Sequence, residues 1–258
     1  MSKRIIVEKS DGIGFIQLND PSRRNALTLE LKQELQEALL DLKTCEETRV
    51  VVLSGNGKGF CAGGDVKAME APYSEKGINE NMNQSIAIIN FIQSLEKPVI
   101  ALVHGPVAGA GVSLALACDL VVAEKSTTFH FSFKQVGLVA DLGLHYHLCQ
   151  QVGPWKAKEI LWGNRSWSAE AFSQLGMINE LVEDGSGEQV TYELAKALVE
   201  GPRDVFAQSK LIMNQLHQEA FAQIMEQEKK AHVMLRNTTD HLEGVQAFKE
   251  KRFPVFNR

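Results

Sequence analysis

A single acidic residue, Asp141, lies in an otherwise apolar, glycine-containing stretch, V-G-L-V-A-D-L-G-L-H-Y-H, at residues 136–147. A carboxylate in such surroundings can act as a general base, bind a metal ion or cap a helix. Aspartate is among the preferred N-cap residues, and a helical pattern follows Asp141, so the capping role is open. His145 and His147 are two residues apart and would point away from each other on a helix. The chain also has no H-E-x-x-H segment, so we expect no metal site.

Two glycine-rich loops each follow an apolar strand pattern and precede a helical one. The first, S-G-N-G-K-G-F-C-A-G-G-D, begins at Ser54, and the second, H-G-P-V-A-G-A-G, begins at His104. The first loop fits neither a P-loop nor a dinucleotide fingerprint, and a tight turn with positive φ angles is the simpler alternative. However, helix N-termini carry free N–H groups at the positive end of the dipole. Two such amides directed at one oxygen would form an oxyanion hole for an enolate or a tetrahedral intermediate.

Strands and helices alternate along the first part of the chain and must position these groups. Residues 5–7 and 14–18 have the pattern of a β-hairpin, and Thr28 can cap the amphipathic helix that follows. Buried strands are predicted at residues 50–53, 98–103 and 120–123, with helices at 29–42, 86–95 and 112–117. The polar segment from Glu70 to Gln84 is predicted to be a mobile loop. This order is typical of a mostly parallel α/β fold.

Helical patterns dominate after Leu142. They cover residues 155–162, 168–176, 189–200, 202–216, 221–235 and 239–248. No low-complexity tract or long linker separates them from the preceding part of the chain. We therefore expect a core at residues 1–190 and a C-terminal helical region at residues 191–258.

The overall composition excludes some classes of protein. The 258 residues carry a net charge of −5, which argues against nucleic-acid binding because phosphate recognition needs a basic face. The longest apolar region, residues 98–123, is interrupted by His104, Ser113 and Asp119, so we expect no membrane span. The four scattered cysteines show no C-x-x-C pairing, and the N-terminus has no long apolar segment of the kind a signal peptide needs. These features predict reduced cysteines and a cytoplasmic protein.

Two long segments of the chain resemble the signatures of a known family. The segments S-G-N-G-K-G-F-C-A-G-G-D-V-K and K-P-V-I-A-L-V-H-G-P-V-A-G-A-G-V-S-L-A-L-A-C-D-L are similar to those of the crotonase (enoyl-CoA hydratase/isomerase) superfamily. R-N-A-L-T at residues 24–28 is similar to its CoA-binding turn, and the ending F-K-E-K-R-F-P-V-F is similar too. The resemblance implies an α/β spiral of ββα turns with a C-terminal helical trimerisation region. It also implies an acyl-CoA thioester substrate, no cofactor beyond the CoA of that substrate, and a homotrimer or a dimer of trimers.

The resemblance also implies which residues form the site. The backbone N–H groups of Gly64 and Ala110 would hold the thioester oxygen. Lys251, on the final segment, would reach the CoA of an adjacent subunit. Further residues are expected along the CoA or the acyl group: Arg24, Ala26, Leu27, Ala62, Gly63, Asp65, Val66, Lys67, Gly109, Ser113 and Phe133.

The chain departs from the hydratases of this family at two positions. Their two glutamates, which together position and activate a water molecule, correspond to Ser113 and Phe133 here. Since one positioned acid or base contributes about 10²–10⁴-fold to a rate, losing both disfavours hydration. Ser113 is expected to line the acyl pocket as a small residue. Phe129, Phe131 and Phe133 alternate as on a strand face, and we expect Phe133 to make one wall of the pocket apolar.

With both glutamates replaced, Asp141 is the candidate for the acid/base. Dienoyl-CoA isomerases and the ring-opening isomerase of epoxyphenylacetyl-CoA carry an aspartate at this motif position. The resemblance implies an isomerase-type reaction through an enolate, in which Asp141 is the acid/base and Gly64 and Ala110 form the oxyanion hole. The alternatives are an enoyl-CoA hydratase with relocated catalytic groups, a thioester hydrolase or dehalogenase, and a non-catalytic acyl-CoA-binding subunit.

Overall fold

The computed structural model describes residues 3–69, 74–163 and 165–256. The strands are β1 (Ile5–Ser10), β2 (Ile13–Leu18), β3 (Val50–Gly55), β4 (Val99–Val103), β5 (Pro106–Ala108), β6 (Leu120–Glu124), β7 (Thr128–His130), β8 (Trp167–Ser168) and β9 (Glu180–Val182). These described strands form one six-stranded sheet, in the order β1-β2-β3-β4-β6-β9, and one three-stranded sheet, in the order β5-β7-β8.

Helices connect and cover the strands. They are α1 (Leu29–Thr44), α2 (Glu75–Ser94), α3 (Ala110–Leu116), α4 (Leu144–Trp162), α5 (Ala169–Gln174), α6 (Gly187–Glu200), α7 (Arg203–Gln215), α8 (Gln218–Leu235) and α9 (Thr239–Glu250). Short 3-10 helices cover Pro21–Arg23, Val66–Met69 and Ser132–Val136. The predicted cap of α1 is confirmed, because the Thr28 hydroxyl accepts a hydrogen bond of 3.2 Å from the amide of Leu31.

The large sheet begins with the predicted hairpin. β1 and β2 pair antiparallel, and Asp11 and Gly12 between them have φ angles of 52° and 79°. Both central residues of a tight hairpin turn need such positive angles, which the sequence Asp-Gly favours. The remaining pairs, β2–β3, β3–β4, β4–β6 and β6–β9, are parallel, so the predicted α/β class is confirmed.

The two faces of the sheet pack against different layers. Along β3, Val51 and Leu53 belong to the larger apolar core, whereas Val50 and Val52 pack on the opposite side with Ala195 of α6. Alternate residues of a strand point to opposite faces, so an unbroken apolar strand is what a sheet covered on both sides requires.

The segment between β3 and β4 contains a helix where the sequence predicted a loop. Residues 70–84 were predicted to be a mobile loop, but α2 begins at Glu75 and the prediction is wrong for residues 75–84; residues 70–73 lie outside the described part of the chain. The side chain of Ser74 caps the helix by accepting from the amide of Gly77, and Ile78 and Met82 are buried on one face. Only two buried apolar side chains anchor these ten residues, which is too weak a pattern to outweigh the polar composition of the segment.

One helix of the C-terminal half crosses the boundary that we expected between the core and the helical region. The expected boundary between residues 190 and 191 falls inside α6, a continuous helix that packs against the sheet. The helices that follow it are α7, α8 and α9. Among the residues that the structure describes, no helix is both long and apolar enough to cross a membrane.

Candidate active site

The two glycine loops pack directly against each other. The amide of Ala108 donates to the carbonyl of Cys61 at 2.9 Å, which joins the loops as a short parallel bridge. A Cβ at Gly63, where φ is +83°, would lie 2.5 Å from the carbonyl oxygen of Ala108 and 2.9 Å from the amide nitrogen of Ala110. Glycine is therefore required here both by the backbone angle and by the close approach of the second loop.

This contact brings the predicted oxyanion donors together. Ala110 is the first residue of α3, so its amide has no partner within the helix. The amide of Gly64 follows the Gly63 contact directly. Within the described part of the chain, neither amide donates to a backbone or side-chain acceptor. Two unused N–H groups at touching loops can stabilise a negative oxygen.

Asp141 is attached to the same helix. The Ser113 hydroxyl, one turn along α3 from Ala110, donates a hydrogen bond of 2.9 Å to the backbone carbonyl of Asp141. The chain then turns through Leu142 and Gly143, with φ angles of 59° and 81°, before α4 begins at Leu144. Left-handed angles at a leucine are uncommon and are found where surrounding contacts hold them.

The helix-cap interpretation of Asp141 is wrong. The N-cap residue of α4 is Gly143, and the carboxylate that accepts from the first turn belongs to Glu228 of α8. Glu228 accepts from the amides of Gly143 and His145 at 2.7 and 3.2 Å and from the His145 Nδ1 at 2.7 Å. His145 therefore contacts a neighbouring acid and does not pair with Asp141.

The Asp141 carboxyl group is buried without a hydrogen bond. Its side chain is 13% exposed, and its Oδ1 has no partner among the described residues. The other oxygen, Oδ2, lies 3.7 Å from the Nε2 of His232, but that N–H donates to the carbonyl of Val139 at 2.9 Å. Burial also lowers the pKa of His232 to about 4, so this imidazole is neutral and offers Asp141 no ion pair.

These surroundings make Asp141 a strong base for a carboxylate. Burial, followed by the negative charge of Glu228, raises its pKa to about 8, while the positive charges of Lys32 and Arg236 oppose that rise. Desolvation and a like charge both disfavour the ionised form. A buried acid with such a shift is a candidate for proton transfer.

Lys32 is a part of the site that the sequence analysis missed. It lies on α1, is fully buried, and its Nζ donates to the Asn81 carbonyl at 3.1 Å, to the Asn81 side-chain oxygen and to the Ser85 hydroxyl at 3.3 Å. Burial lowers its pKa to about 8, and attraction to Asp141 works against that change. A lysine at an apolar position of an amphipathic helix was the available signal.

Phe133 lies beside the second glycine loop, as the pocket-wall prediction requires. Its ring atoms are 3.9–4.0 Å from the position that a Cβ would take at Gly109, the residue before Ala110. It belongs to the 3-10 helix Ser132–Val136, so the predicted strand face is right for Phe129 in β7 and wrong for Phe133. Phe129 stacks on Phe172 of α5 at 4.2 Å between ring centroids, which makes it a core residue.

The residues expected along the CoA surround the first loop. The amide of Leu27 donates to the Gly63 carbonyl at 2.8 Å, and the amide of Ala62 donates to the Arg24 carbonyl at 2.9 Å. The other residues expected there are placed as follows: Ala26 is buried, Val66 is half-buried, Lys67 and the Arg24 side chain are exposed, and Asp65 is paired with Arg23 at 3.6 Å. Lys251 ends α9 at an exposed position, and its contact with another subunit stays a prediction.

Two alternative chemistries find little support in this arrangement. Burial raises the pKa of the Cys61 thiol to about 12, and its Sγ donates to the Asn25 carbonyl at 3.1 Å, so Cys61 is a poor nucleophile. The described residues contain no group of three or more His, Cys, Asp or Glu side chains placed to hold one metal ion.

Several known proteins are similar to this chain in sequence and in fold. Residues 8–258 match the sequence model of the family described as enoyl-CoA hydratase/isomerase. YhaR of Bacillus subtilis (strain 168), named for the same family, is 34% identical over 95% of each chain, and the 1,2-epoxyphenylacetyl-CoA isomerase of Escherichia coli (strain K12) is 29% identical over 99% of each. The crystal structure of an enoyl-CoA hydratase from Mycobacterium avium subsp. paratuberculosis K-10 has a TM-score of 0.89 and 28% identity over 99% of each chain. The predicted crotonase-like fold is thereby confirmed, and the chain belongs to the enoyl-CoA hydratase/isomerase family of acyl-CoA-processing enzymes.

Proposed function

We propose that this enzyme moves a proton, and with it a carbon–carbon double bond, within an acyl-CoA thioester. Asp141 is its single acid/base, and the amides of Gly64 and Ala110 stabilise the thioester oxygen. The observation that carries the proposal is the buried Asp141 carboxyl, whose Oδ1 has no partner among the described residues and whose backbone is bonded to α3. The full-length similarity to an enzyme named 1,2-epoxyphenylacetyl-CoA isomerase supports the same class of reaction.

The proposed reaction has two proton transfers and consumes no water. The Asp141 carboxylate removes a proton from a carbon of the acyl group that is conjugated with the thioester. The electron pair of that C–H bond shifts through the carbon chain onto the thioester oxygen, which becomes an enolate oxygen held by the two amides. The protonated Asp141, which exchanges its proton with solvent while the enolate is bound, then delivers a proton two carbons away, and the C=O bond re-forms as the double bond settles at its new position.

The proton affinity of Asp141 suits both steps. A carboxyl group with a pKa of about 8 is a stronger base than an ordinary aspartate, yet it can still release its proton near neutral pH. General acid/base catalysis is most effective when the pKa lies near the working pH. In the free enzyme, the carboxylate needed for the first step forms as the pH rises through about 8.

The surroundings of Asp141 disfavour the hydratase alternative. Ser113, at the position of one hydratase glutamate, uses its hydroxyl to hold the Asp141 backbone. Phe133, at the other position, places an aromatic ring beside Gly109. Neither side chain can deprotonate a water molecule, so the proposed reaction relies on Asp141.

The test compares isomerisation with hydration. The enzyme and the Asp141→Asn variant are assayed with 3-enoyl-, dienoyl- and cyclic-epoxide-CoA substrates, and with crotonyl-CoA for hydration. Asp204→Asn, at an exposed position in the first turn of α7, serves as the matched control. The proposal expects isomerisation by the enzyme and the control, and a loss of about 10²-fold or more in Asp141→Asn. Full turnover by Asp141→Asn would overturn it, as would efficient crotonyl-CoA hydration without isomerisation, or the release of free CoA.

The proposal includes assembly as a homotrimer or a dimer of trimers. Ile212, Met213 and Leu216, near the end of α7, are 61%, 61% and 71% exposed in the single chain. Neighbouring exposed apolar side chains are typical of surfaces that another chain covers. Sedimentation velocity tests this part, and a monomer at micromolar concentration would contradict it.

A further inference from the structure

Glu228 of α8 holds the backbone just after Asp141, at the start of α4. Its side chain is 3% exposed, and its carboxylate accepts three hydrogen bonds, two from amides at the start of α4 and one from the His145 ring. Charge-assisted bonds of this kind are shorter and stronger than neutral ones, and a carboxylate at a helix N-terminus is further stabilised by the helix dipole. The acid that completes the first turn of α4 therefore comes from a helix more than 80 residues away along the chain.

Two histidines of the C-terminal helices also hydrogen-bond to the backbone of the segment that carries Asp141. His232, one turn after Glu228 on α8, donates to the Val139 carbonyl at 2.9 Å, and His241 of α9 donates to the Val136 carbonyl at 2.6 Å. Since a carbonyl can only accept, the bonded ring nitrogen carries hydrogen in each case. The three side chains Glu228, His232 and His241 thus fix the backbone on both sides of Asp141.

Such attachment matters because the Oδ1 of the buried Asp141 carboxyl group has no hydrogen-bond partner among the described residues to orient it. Its position depends on its backbone, which Ser113 holds at the Asp141 carbonyl and Glu228 holds two residues later at Gly143. The left-handed φ angle of 59° at Leu142, between these two points, persists only while both ends are fixed. Displacing a reacting group by about 1 Å can cost about 10²-fold in rate.

Glu228 also acts on the charge of Asp141. Its negative charge faces Asp141 from α8, together with neutral His232 of the same helix and with Arg236, which directly follows it, while Lys32 faces Asp141 from α1. A second carboxylate nearby disfavours ionisation of the first.

We propose that Glu228 is a positioning residue of the reaction, which fixes the backbone of the catalytic aspartate from the C-terminal helices. This inference rests on the proposed role of Asp141 as the acid/base. It assigns to α8 a direct part in the chemistry of a site built otherwise from the glycine loops and α3.

The experiment compares Glu228→Gln with Glu226→Gln in the full-length enzyme. Glutamine keeps the shape and one acceptor but removes the charge, and Glu226 is a half-exposed acid on the same helix that pairs with Lys229. For Glu228→Gln we expect kcat to fall about 10- to 100-fold with KM within about 3-fold of wild type. We also expect the acidic limb of kcat/KM against pH, along which activity rises as Asp141 ionises, to move to lower pH, because loss of the nearby negative charge favours ionisation of Asp141.

Each result decides between positioning and a purely structural role. The proposal would be overturned if the acidic limb of kcat/KM against pH stays in place in Glu228→Gln. It would also be overturned if kcat and KM equal those of Glu226→Gln. If Asp141→Asn is inactive while Glu228→Gln behaves as wild type, this inference fails and the proposed function stands; if Asp141→Asn is fully active, the proposed function itself fails.

A second variant covers the case in which Glu228→Gln does not fold. His145→Leu removes one of the three donors to Glu228 at a ring that is 36% exposed, so the fold should tolerate it. The Glu228 carboxylate then keeps its charge but has fewer hydrogen-bond donors. We expect a lower kcat, while the acidic limb of kcat/KM against pH does not move to lower pH. Hydrogen exchange of residues 136–147 should also become faster than in wild type. Wild-type kcat together with unchanged exchange would contradict the proposal.

Discussion

The hydroxyl of Ser113 donates a hydrogen bond of 2.9 Å to the backbone carbonyl of Asp141, across 28 residues of sequence. The serine belongs to the helix whose first amide, that of Ala110, is an oxyanion donor in the proposed reaction. The bond therefore sets the distance between the group that removes the proton and a group that stabilises the resulting charge. Ser113 positions the base although it replaces a glutamate that other family members use on a water molecule.

The first prediction concerns this bond. In Ser113→Ala the Asp141 carbonyl keeps only its 3.2 Å bond from the Leu144 amide among the described residues, and loss of the hydroxyl donor should lower the free energy of unfolding by about 0.5–1.5 kcal/mol. We expect kcat to fall about 10-fold as Asp141 becomes less well placed. Ser94→Ala, at an exposed hydroxyl bonded only to the Phe91 carbonyl three residues earlier, is the control. Wild-type kcat in Ser113→Ala would show that the bond does not position the base.

The second prediction concerns the positive charge of Lys32. Lys32 opposes the rise in the pKa of Asp141, so Lys32→Met should raise that pKa further above about 8. Ionised Asp141 is needed for the first step, so the acidic limb of kcat/KM against pH should move to higher pH. Lys43→Met, at an exposed position of the same helix, should leave the limb in place. A limb that moves down, or not at all, would contradict the coupling between Lys32 and Asp141.

The third prediction links the pKa of Asp141 to stability. An ordinary aspartate, as in the unfolded chain, has a pKa of about 3.9, and the folded value is about 8. The folded state therefore binds the proton more tightly, and this stabilisation is full below about pH 4 and is lost as the pH rises to about 8. Asparagine cannot ionise, so Asp141→Asn should gain stability relative to wild type across this range and stay level above it.

The size of that gain has an upper bound. Each pKa unit corresponds to about 1.4 kcal/mol, so the whole rise amounts to at most about 6 kcal/mol. Chemical denaturation at pH 5, 7 and 9 measures it, with Asp204→Asn as the control at an exposed site. A stability difference between Asp141→Asn and wild type that is independent of pH would show that Asp141 ionises as an ordinary carboxylate.

The fourth prediction concerns the contact between the glycine loops. Gly63→Ala and Gly185→Ala both place a side chain at a positive φ, +83° and +82°, and the strain should cost each about 1 kcal/mol. Only Gly63→Ala also forces a Cβ to within 2.5 Å of the Ala108 carbonyl oxygen, whereas the position at Gly185 is open. We expect Gly63→Ala to lose most activity and Gly185→Ala to keep it. Equal activity in both variants would show that the loop contact does not matter for the oxyanion donors.

Local sequence predicted much of this architecture. The hairpin at Asp11-Gly12, the cap at Thr28 and the buried parallel strands follow from turn chemistry, capping preference and apolar runs. The packed glycine loops and the unused amides at Gly64 and Ala110 follow from signature segments that need close backbone contact. Such features are specified by neighbouring residues in the chain.

The missed features depend on contacts between distant residues. Glu228 completes the first turn of α4 from α8, so the sequence around Asp141 contains no sign that another residue caps the helix. Lys32 meets its acceptors on α2, a helix whose polar first half was predicted to be a loop. The spacing along α1 places Lys32 on the apolar face, but neither its acceptors on α2 nor the charge facing Asp141 can be inferred from spacing along one helix.

The most direct test of the central claim is exchange of acyl protons with solvent in deuterium oxide. The enzyme is incubated with an acyl-CoA thioester, and deuterium at the α and γ carbons is measured by mass spectrometry and NMR. The claim that Asp141 transfers the proton through an enolate predicts deuterium incorporation by wild type and Asp204→Asn, and a rate at least about 10²-fold lower in Asp141→Asn. Incorporation by Asp141→Asn at the wild-type rate would contradict the claim.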